Sequence, residues 1–189
     1  FKELVDWMLA HPDKASSGSA GVGSPPHLLD ELIRQKTDTR FQTVHYRGAG
    51  PIMKDLMGAQ IQMAFLNPAT ASPHVQSGVI KALGVTSDRR LKILPDVPTM
   101  AEAGFPGGME FSLWSGLYAP KGTPPEIINK LNRAAQDSLA SQKVRDLYAK
   151  LGLEIAPREK QTPQALAELQ RAEIAKWWPI IDAAGIKPQ

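Results

Sequence analysis

Apolar residues recur at helical spacing at two places near the start of the chain. Those between positions 1 and 9 fall on one face and predict an amphipathic helix. A second helix is predicted over about 25–37, where Ser24 suits the N-cap, Pro25 suits the first helical position and apolar residues repeat behind them. Because neither a cap nor an initiator methionine precedes Phe1, we expect the chain to be a fragment of a longer protein.

Short apolar runs separate the helices and predict the strands of a sheet. The chain can run extended over 14–19, and strands are predicted over 41–46, 61–65 and 80–85. The first three of these segments lead through turns into helices, the last of which begins at Asn67. Three successive strand–turn–helix units predict a parallel sheet with helices on its faces.

The second half of the chain is predicted to be mainly helical. A connection rich in proline and glycine over 89–108 leads to an extended, aromatic-rich strand over 111–119. A capping box over 123–126 starts one helix, a second helix covers about 142–151, and Thr162 caps the last. Ile127, Ile128, Leu131, Ala134, Ala135 and Leu139 share one face of the first of these helices, and Leu166, Leu169, Ile174, Trp177 and Ile181 are expected to be buried in the last.

A glycine-rich loop over 18–27 joins the first strand to its helix and is the strongest chemical signal in the chain. Unpaired backbone N–H groups and the helix dipole meet at such a turn, which favours a bound anion. The loop lacks both the G-x-G-x-x-G pattern and the Gly-Lys-Ser/Thr ending of nucleotide-binding loops, so a smaller anion such as a carboxylate fits better. The plain alternative is that the glycines serve only the geometry of the turn.

Composition narrows the classes of function. The apolar share of 42% and the charged share of 22% are those of an ordinary soluble globular protein, and no apolar run has the length of a membrane span. A net charge of +3 with scattered basic residues does not indicate nucleic acid binding. The absence of cysteine removes thiol catalysis, disulfides and cysteine-bound metal.

Catalysis has no positive support in the sequence. The chain contains no nucleophile-elbow motif, and its four histidines lack the spacing of a metal site. No two carboxylates can be paired as acid and base from their positions. We therefore predict a protein that is not an enzyme and that binds neither a metal nor a cofactor.

Three polar loops follow the predicted strands, and the ends of parallel strands meet at one edge of the sheet, where ligands bind. Tyr46 has the alternative role of a core aromatic, Asn67 that of starting a turn, and His27 that of capping its own helix. The candidate ligand-binding residues on these loops are Ser19, Gly21, Gly23, Ser24, His27, Tyr46, Asn67 and Thr70.

Motifs along the whole chain share the pattern of one protein family. They are Pro12 with Gly18-Ser19-x-Gly21-x-Gly23-Ser24-x-x-His27-Leu28, Val44-x-Tyr46-Arg47-Gly48-Ala49-x-Pro51, Phe65-x-Asn67 followed by Pro73-His74, Ala82-Leu83-x-Val85-Thr86-Ser87, Leu94-Pro95-Asp96-Val97-Pro98-Thr99-x-Ala101-Glu102-Ala103-Gly104, and Trp114-x-Gly116-Leu117-Tyr118-Ala119-Pro120-x-Gly122-Thr123-Pro124. In these motifs the chain resembles the solute-binding proteins of tripartite tricarboxylate transporters, the Bug or TctC-like family.

The resemblance implies an α/β fold of the type II periplasmic binding protein kind. Its two lobes each hold a mainly parallel sheet flanked by helices, and they close on the ligand like a Venus flytrap. On this alignment residues 1–108 are the second lobe without its first strand, and 109–189 are the crossing strand and the C-terminal part of an incomplete first lobe. The implied function is a periplasmic receptor that captures a small organic carboxylate for membrane permease subunits, with no nucleic acid partner and no membrane insertion of its own.

Two positions depart from the family pattern. Pro25 and Pro26 stand where relatives often carry residues with an N–H, so fewer backbone donors face the ligand. Leu66 replaces the usual Asp, which makes it a further candidate ligand-binding residue and favours a carboxylate without a free amine.

Two other functions fit the same architecture. The ligand-binding effector lobe of a transcription regulator would carry a helix-turn-helix upstream of this chain. An enzyme on a similar scaffold would draw an acid–base pair from residues outside it. The gene sequence that precedes Phe1 separates both alternatives from a receptor with a signal peptide.

Overall fold

The computed structural model describes residues 1–12 and 14–186. Within these residues the α-helices are α1 Lys2–Ala10, α2 Pro25–Thr37, α3 Ala49–Met57, α4 Pro68–Gln76, α5 Pro125–Ala140, α6 Gln142–Lys150 and α7 Pro163–Ala183, and a short 3-10 helix covers Arg158–Lys160. The strands are β1 Ser16–Ser19, β2 Gln42–His45 and β3 Met63–Ala64. Helices α2, α4, α5 and α7 begin with a proline, because the first helical position needs no N–H and proline already has a helical φ.

The three strands form one parallel sheet in the order β2-β1-β3. Gly18 on the central strand lies opposite Val44 on one side and Ala64 on the other. Each strand is followed by a helix, so the predicted strand–turn–helix units and the parallel sheet are confirmed. The carboxyl ends of all three strands consequently lie at one edge of the sheet.

Close packing at Gly18 joins the sheet to its neighbours. A Cβ atom at this position would lie 2.7 Å from Cδ1 of Ile61 and 2.9 Å from Cγ2 of Ile52 on α3. Both isoleucines are buried, with about 2% and 1% of their surface exposed. Glycine is therefore the residue that lets α3 approach the central strand this closely.

Two predicted strands are wrong. Over 80–85 the chain makes only an isolated parallel bridge between Val85 and Thr99, and over 111–119 it forms no strand, although the Phe111 N–H donates to the Thr86 carbonyl at 2.8 Å. A strand needs a hydrogen-bonding neighbour, and β-type composition alone does not supply one.

The chain divides into two compact units. Unit 1 comprises Phe1–Ser112 together with Trp177–Gln189, and unit 2 comprises Leu113–Lys176. This division describes packing within the present chain, whereas the predicted lobes 1–108 and 109–189 refer to a two-lobed receptor. The lobe assignment therefore stays a prediction.

Unit 1 holds the hydrophobic core. Phe111 packs edge to face on Trp177 with ring centroids 5.3 Å apart. The core unites the buried faces of α1 and α2 with residues from the connecting segments and from α7. Its buried members are Met8, Ala15, Leu28, Leu29, Ile33, Phe41, Met100, Phe105, Met109 and Trp177.

Unit 2 contains helices with apolar faces but no buried residue among those described. The face predicted for α5 exists, yet Ile127 and Leu131 are each 44% exposed. On α7 the prediction of burial is wrong for Leu169 and Ile174, which are 40% and 53% exposed. Helical periodicity identifies which residues share a face, whereas burial depends on what packs against that face.

Candidate functional site

Three loops leave the sheet at its carboxyl edge. Residues 20–24 follow β1, residues 46–48 follow β2 and residues 65–67 follow β3. They lead directly into the N-termini of α2, α3 and α4, each of which carries partial positive charge. The predicted site residues on these loops are therefore placed at one edge by the parallel topology.

The carbonyl of Gly21 organises the loop after β1. It accepts hydrogen bonds from the Ser24 hydroxyl at 2.7 Å and the Ser19 hydroxyl at 3.1 Å, and the two hydroxyl oxygens lie 2.9 Å apart. The chain can turn here because Gly21 has a φ of 127°, which side chains disfavour. In the described part of the chain, the N–H groups of Ala20, Gly21 and Val22 find no hydrogen-bond acceptor.

Ser24 occupies the N-cap of α2 as predicted, but its side chain does not cap the helix. A capping side chain accepts a hydrogen bond from the N–H of the second or third helical residue. The second residue is Pro26, which has no N–H, and the Ser24 hydroxyl donates to Gly21 instead. The proline pair thus removes donors from the helix terminus and leaves Ser24 to shape the loop.

His27 lies in the first turn of α2 and is 9% exposed. Its Nδ1 accepts a hydrogen bond from the Gly23 N–H at 3.0 Å, and its Nε2 lies 3.5 Å from a Glu31 carboxylate oxygen. The His45 ring meets it edge to face with centroids 4.9 Å apart. Burial, followed by the nearby His45, lowers the pKa of His27.

Tyr46 is held through both its backbone and its side chain. Its N–H donates to the Ser19 carbonyl at 2.8 Å, which continues the pairing of β1 with β2 by one residue. Its hydroxyl donates to the Asp55 carboxylate on α3 at 2.8 Å. Burial and the adjacent Asp55 raise the pKa of the Tyr46 hydroxyl.

Asn67 caps α4, since its Oδ1 accepts a hydrogen bond from the Ala69 N–H at 2.9 Å. Its predicted role in starting the turn is confirmed, and its role in ligand binding stays a prediction. Leu66 is partly buried and Thr70 is exposed. Across the described residues, no hydrogen bond joins these three positions to the loops after β1 and β2.

A buried polar cluster that no sequence pattern predicted joins α2 to two strands. Asp30 is fully buried and accepts hydrogen bonds from the Ser17 hydroxyl at 2.8 Å and the Thr43 hydroxyl at 2.9 Å. Arg34 donates to the Thr43 hydroxyl and to the Phe41 carbonyl. Burial raises the pKa of Asp30 to about 6, although its hydrogen bonds and Arg34 oppose this rise. The sequence pattern that could have indicated this burial is the position of Asp30 beside the apolar positions 28, 29 and 33 of the same helix.

Two clefts among the described residues lie away from the predicted site. One of about 330 Å³ lies between Gln136, Arg145 and Gln161 in unit 2, and one of about 430 Å³ lies between Phe1 and Gly104 in unit 1. Among the described residues no group of three ligating side chains could hold a metal ion. Their helices include none with the length and apolarity needed to cross a bilayer.

Comparison with known proteins identifies close architectural relatives. A family model described as "Tripartite tricarboxylate transporter family receptor" matches residues 1–186. BugT of Bordetella pertussis is 34% identical over 186 residues, which are 97% of this chain and 55% of BugT. The chain thus spans about half the length of this curated relative.

Two solved structures show the same fold. MatC from Rhodopseudomonas palustris, solved with bound malate, matches with a TM-score of 0.85 and 31% identity over 96% of this chain and 61% of MatC. The R. palustris protein Rpa4515, solved with adipate, matches with a TM-score of 0.86 and 31% identity over 100% of this chain and 62% of that one. The predicted periplasmic binding protein fold is thereby confirmed.

Proposed function

Because this chain belongs to the tripartite tricarboxylate transporter receptor family, we propose that it acts as a periplasmic solute receptor for a small organic carboxylate. It captures the acid and presents it to the permease subunits in the membrane. The malate bound to MatC and the adipate bound to Rpa4515 support this class of ligand. The sheet edge of unit 1 supplies one side of the binding site.

The observation that carries the proposal is the unpartnered backbone in the loop after β1. The N–H groups of Ala20, Gly21 and Val22 have no acceptor among the described residues, and Ala20 and Val22 are exposed. The loop leads into the positive end of α2, a helix of 13 residues. Backbone N–H groups at a helix N-terminus are well suited to a carboxylate, which accepts several hydrogen bonds at once.

The contacts of the serine and histidine side chains at the site support binding of the ligand without chemical change. The hydroxyls of Ser19 and Ser24 are directed to each other and to the Gly21 carbonyl. The Nδ1 of His27 accepts from the Gly23 N–H, so this imidazole does not pair with either serine. A serine nucleophile needs a hydrogen-bonded base, and these contacts provide none. Incubation with adipate or malate should therefore leave the acid unchanged by mass spectrometry, and a converted product would contradict this.

A charge-reversal experiment tests the carboxylate site. Ala20→Glu places a negative charge beside the free N–H groups, whereas Ala20→Gln adds nearly the same volume without charge. We expect adipate to shift the amide resonances of residues 20–24 in wild type and Ala20→Gln, and to have little effect in Ala20→Glu. Because the chain spans only part of its solved relatives, we expect weak binding, which NMR titration detects. Equal binding by the two variants would overturn the proposed site.

Leu66 leads us to propose a ligand without a free amine. A buried ammonium group needs a charge or hydrogen-bond partner, and the leucine side chain offers neither. Malate and aspartate differ by a hydroxyl in place of an ammonium group, so we expect malate to bind more tightly than aspartate. Leu66→Asp should reduce this preference, and Leu66→Asn serves as the uncharged control. Tighter binding of aspartate to the wild-type chain would contradict the proposal.

A further inference from the structure

We propose that His27 is a positioning residue whose neutral imidazole holds the loop after β1 in its binding conformation, so that protonation of this ring releases the loop and weakens carboxylate binding. The effect on carboxylate binding rests on the proposed function, because a carboxylate is the ligand proposed for this loop. The effect on the loop conformation depends only on the contacts of His27.

The bond between Gly23 and His27 ties the end of the loop to α2. The Gly23 N–H donates to the ring Nδ1 at 3.0 Å. Elsewhere in the loop, the Gly21 carbonyl accepts hydrogen bonds from the Ser19 and Ser24 hydroxyls. Gly23 has a φ of 72°, so its backbone adopts a left-handed conformation next to this anchor.

The anchor requires one protonation state. A neutral imidazole offers one acceptor nitrogen, whereas the protonated ring has two N–H donors and no acceptor. Because Nδ1 accepts from Gly23, the proton of the neutral ring lies on Nε2, which is 3.5 Å from Glu31. Protonation of Nδ1 would set two N–H groups against each other at 3.0 Å, and the loop would have to move away.

The charged and titratable groups around His27 favour its neutral form. Burial contributes most, and His45 on β2 and Arg34 on α2 also lower its pKa, whereas Glu31 on α2 raises it. The Glu31 carboxylate is shared with Arg34, which forms an ion pair with it. Among the described residues these are the groups that influence the ring, and their combined effect keeps the pKa of His27 below its ordinary value.

A protonated ring would also attract a carboxylate, so two opposing effects must be compared. The ring is 9% exposed, its Nδ1 faces the Gly23 N–H and its Nε2 faces Glu31. The added charge is therefore partly balanced by Glu31, while the loss of the hydrogen bond acts directly on the loop. Loss of one such bond corresponds to a weakening of roughly two- to tenfold.

NMR of the wild-type chain tests the anchor without a ligand. The ring ¹⁵N shifts of His27 should report the Nε2–H tautomer at neutral pH. On acidification, the ring and the Gly23 amide should titrate together, with a midpoint below about 6.5. A Gly23 amide that does not follow the His27 ring would overturn the proposal.

Two matched variants test the consequence for binding, with adipate as the probe. In His27→Asn the Oδ1 atom takes the place of Nδ1 and accepts from Gly23 at every pH, so the affinity for adipate should no longer fall at acidic pH. His27→Leu removes the acceptor and should bind roughly two- to tenfold more weakly at neutral pH. An acid-induced fall in His27→Asn as large as in wild type would overturn the proposal.

A control separates His27 from its neighbour. His45 is exposed and its ring contacts that of His27, so His45→Asn should keep the pH dependence and move its midpoint upward, because a group that lowers the pKa of His27 is removed. Loss of the pH dependence in His45→Asn would assign the switch to His45 instead. If Gly23 follows His27 but adipate does not bind at any pH, the proposed function fails and the anchor stands.

Discussion

Replacing the buried acid Asp30 by asparagine should stabilise the chain at neutral and alkaline pH. The carboxylate is fully buried, and it accepts hydrogen bonds from Ser17 and Thr43. An asparagine amide can keep both contacts, because the Ser17 hydroxyl is able to rotate and accept from the new NH₂ group. The substitution therefore removes the ionisation of position 30 and leaves its shape nearly unchanged.

The sign and size of the effect follow from the pKa of Asp30, which burial raises from 3.8 to about 6. Between these values the folded chain binds more protons than the unfolded chain, so the free energy of unfolding decreases as pH rises. A difference of about two pKa units corresponds to roughly 3 kcal/mol in the free energy of unfolding. The wild type loses this stability above about pH 6, where Asp30 is ionised in the folded chain. Asp30→Asn should regain up to that amount at about pH 8, and the difference should vanish below about pH 4.

Urea unfolding at several pH values measures the difference in free energy of unfolding between wild type and Asp30→Asn. Amide hydrogen exchange of β1 gives a second, independent measurement. His27 has a lowered pKa, so it acts with the opposite sign and reduces stability as pH falls. Wild type and Asp30→Asn both contain His27, so its contribution cancels when their free energies of unfolding are compared. Asp30→Ala is the control, since it leaves the hydroxyls without their acceptor and should be less stable than asparagine throughout. A constant difference between wild type and Asp30→Asn across this pH range would refute the reasoning.

Three further substitutions test the packing and the capping described above. Gly18→Val should lower the free energy of unfolding by about 1–3 kcal/mol, because its side chain would overlap Ile61 and Ile52; an unchanged urea midpoint would contradict this. Ile52→Ala should cost about 2–5 kcal/mol in the same assay, since Ile52 is 1% exposed, and a loss near zero would show that the site collapses freely. Asn67→Asp should keep its cap and its melting temperature but bind adipate more weakly, whereas unchanged binding would remove Asn67 from the site.

The elements that could be predicted from the sequence are those whose signals are local. Helix α2 begins at Pro25 and ends at Thr37, as its N-cap serine, its proline and its apolar period indicate. Asn67 followed by Pro68 likewise marks the start of α4. Each of these signals acts over one helical turn, so the rest of the fold has little influence on them.

The candidate site could be located from the sequence, but its internal contacts could not. Glycine-bearing turns after parallel strands predicted the sheet edge that the structure shows. The side chains at that edge depend on partners elsewhere: His27 contacts His45, Tyr46 contacts Asp55, and Asn67 remains with its own helix. No periodicity in the sequence encodes which of these side chains meet.

Patterns among neighbouring residues are enough to predict the helices and the parallel strand–turn–helix units, and the motifs along the chain are enough to indicate the family. The folded chain was needed to show that residues 111–119 remain outside a sheet, that Leu169 and Ile174 stay exposed on α7, and that Asp30 is buried between α2 and two strands. Capping and helical period are properties of neighbouring residues. Strand pairing, burial and the pKa of a buried acid depend on groups far apart in the sequence, which meet only when the chain folds.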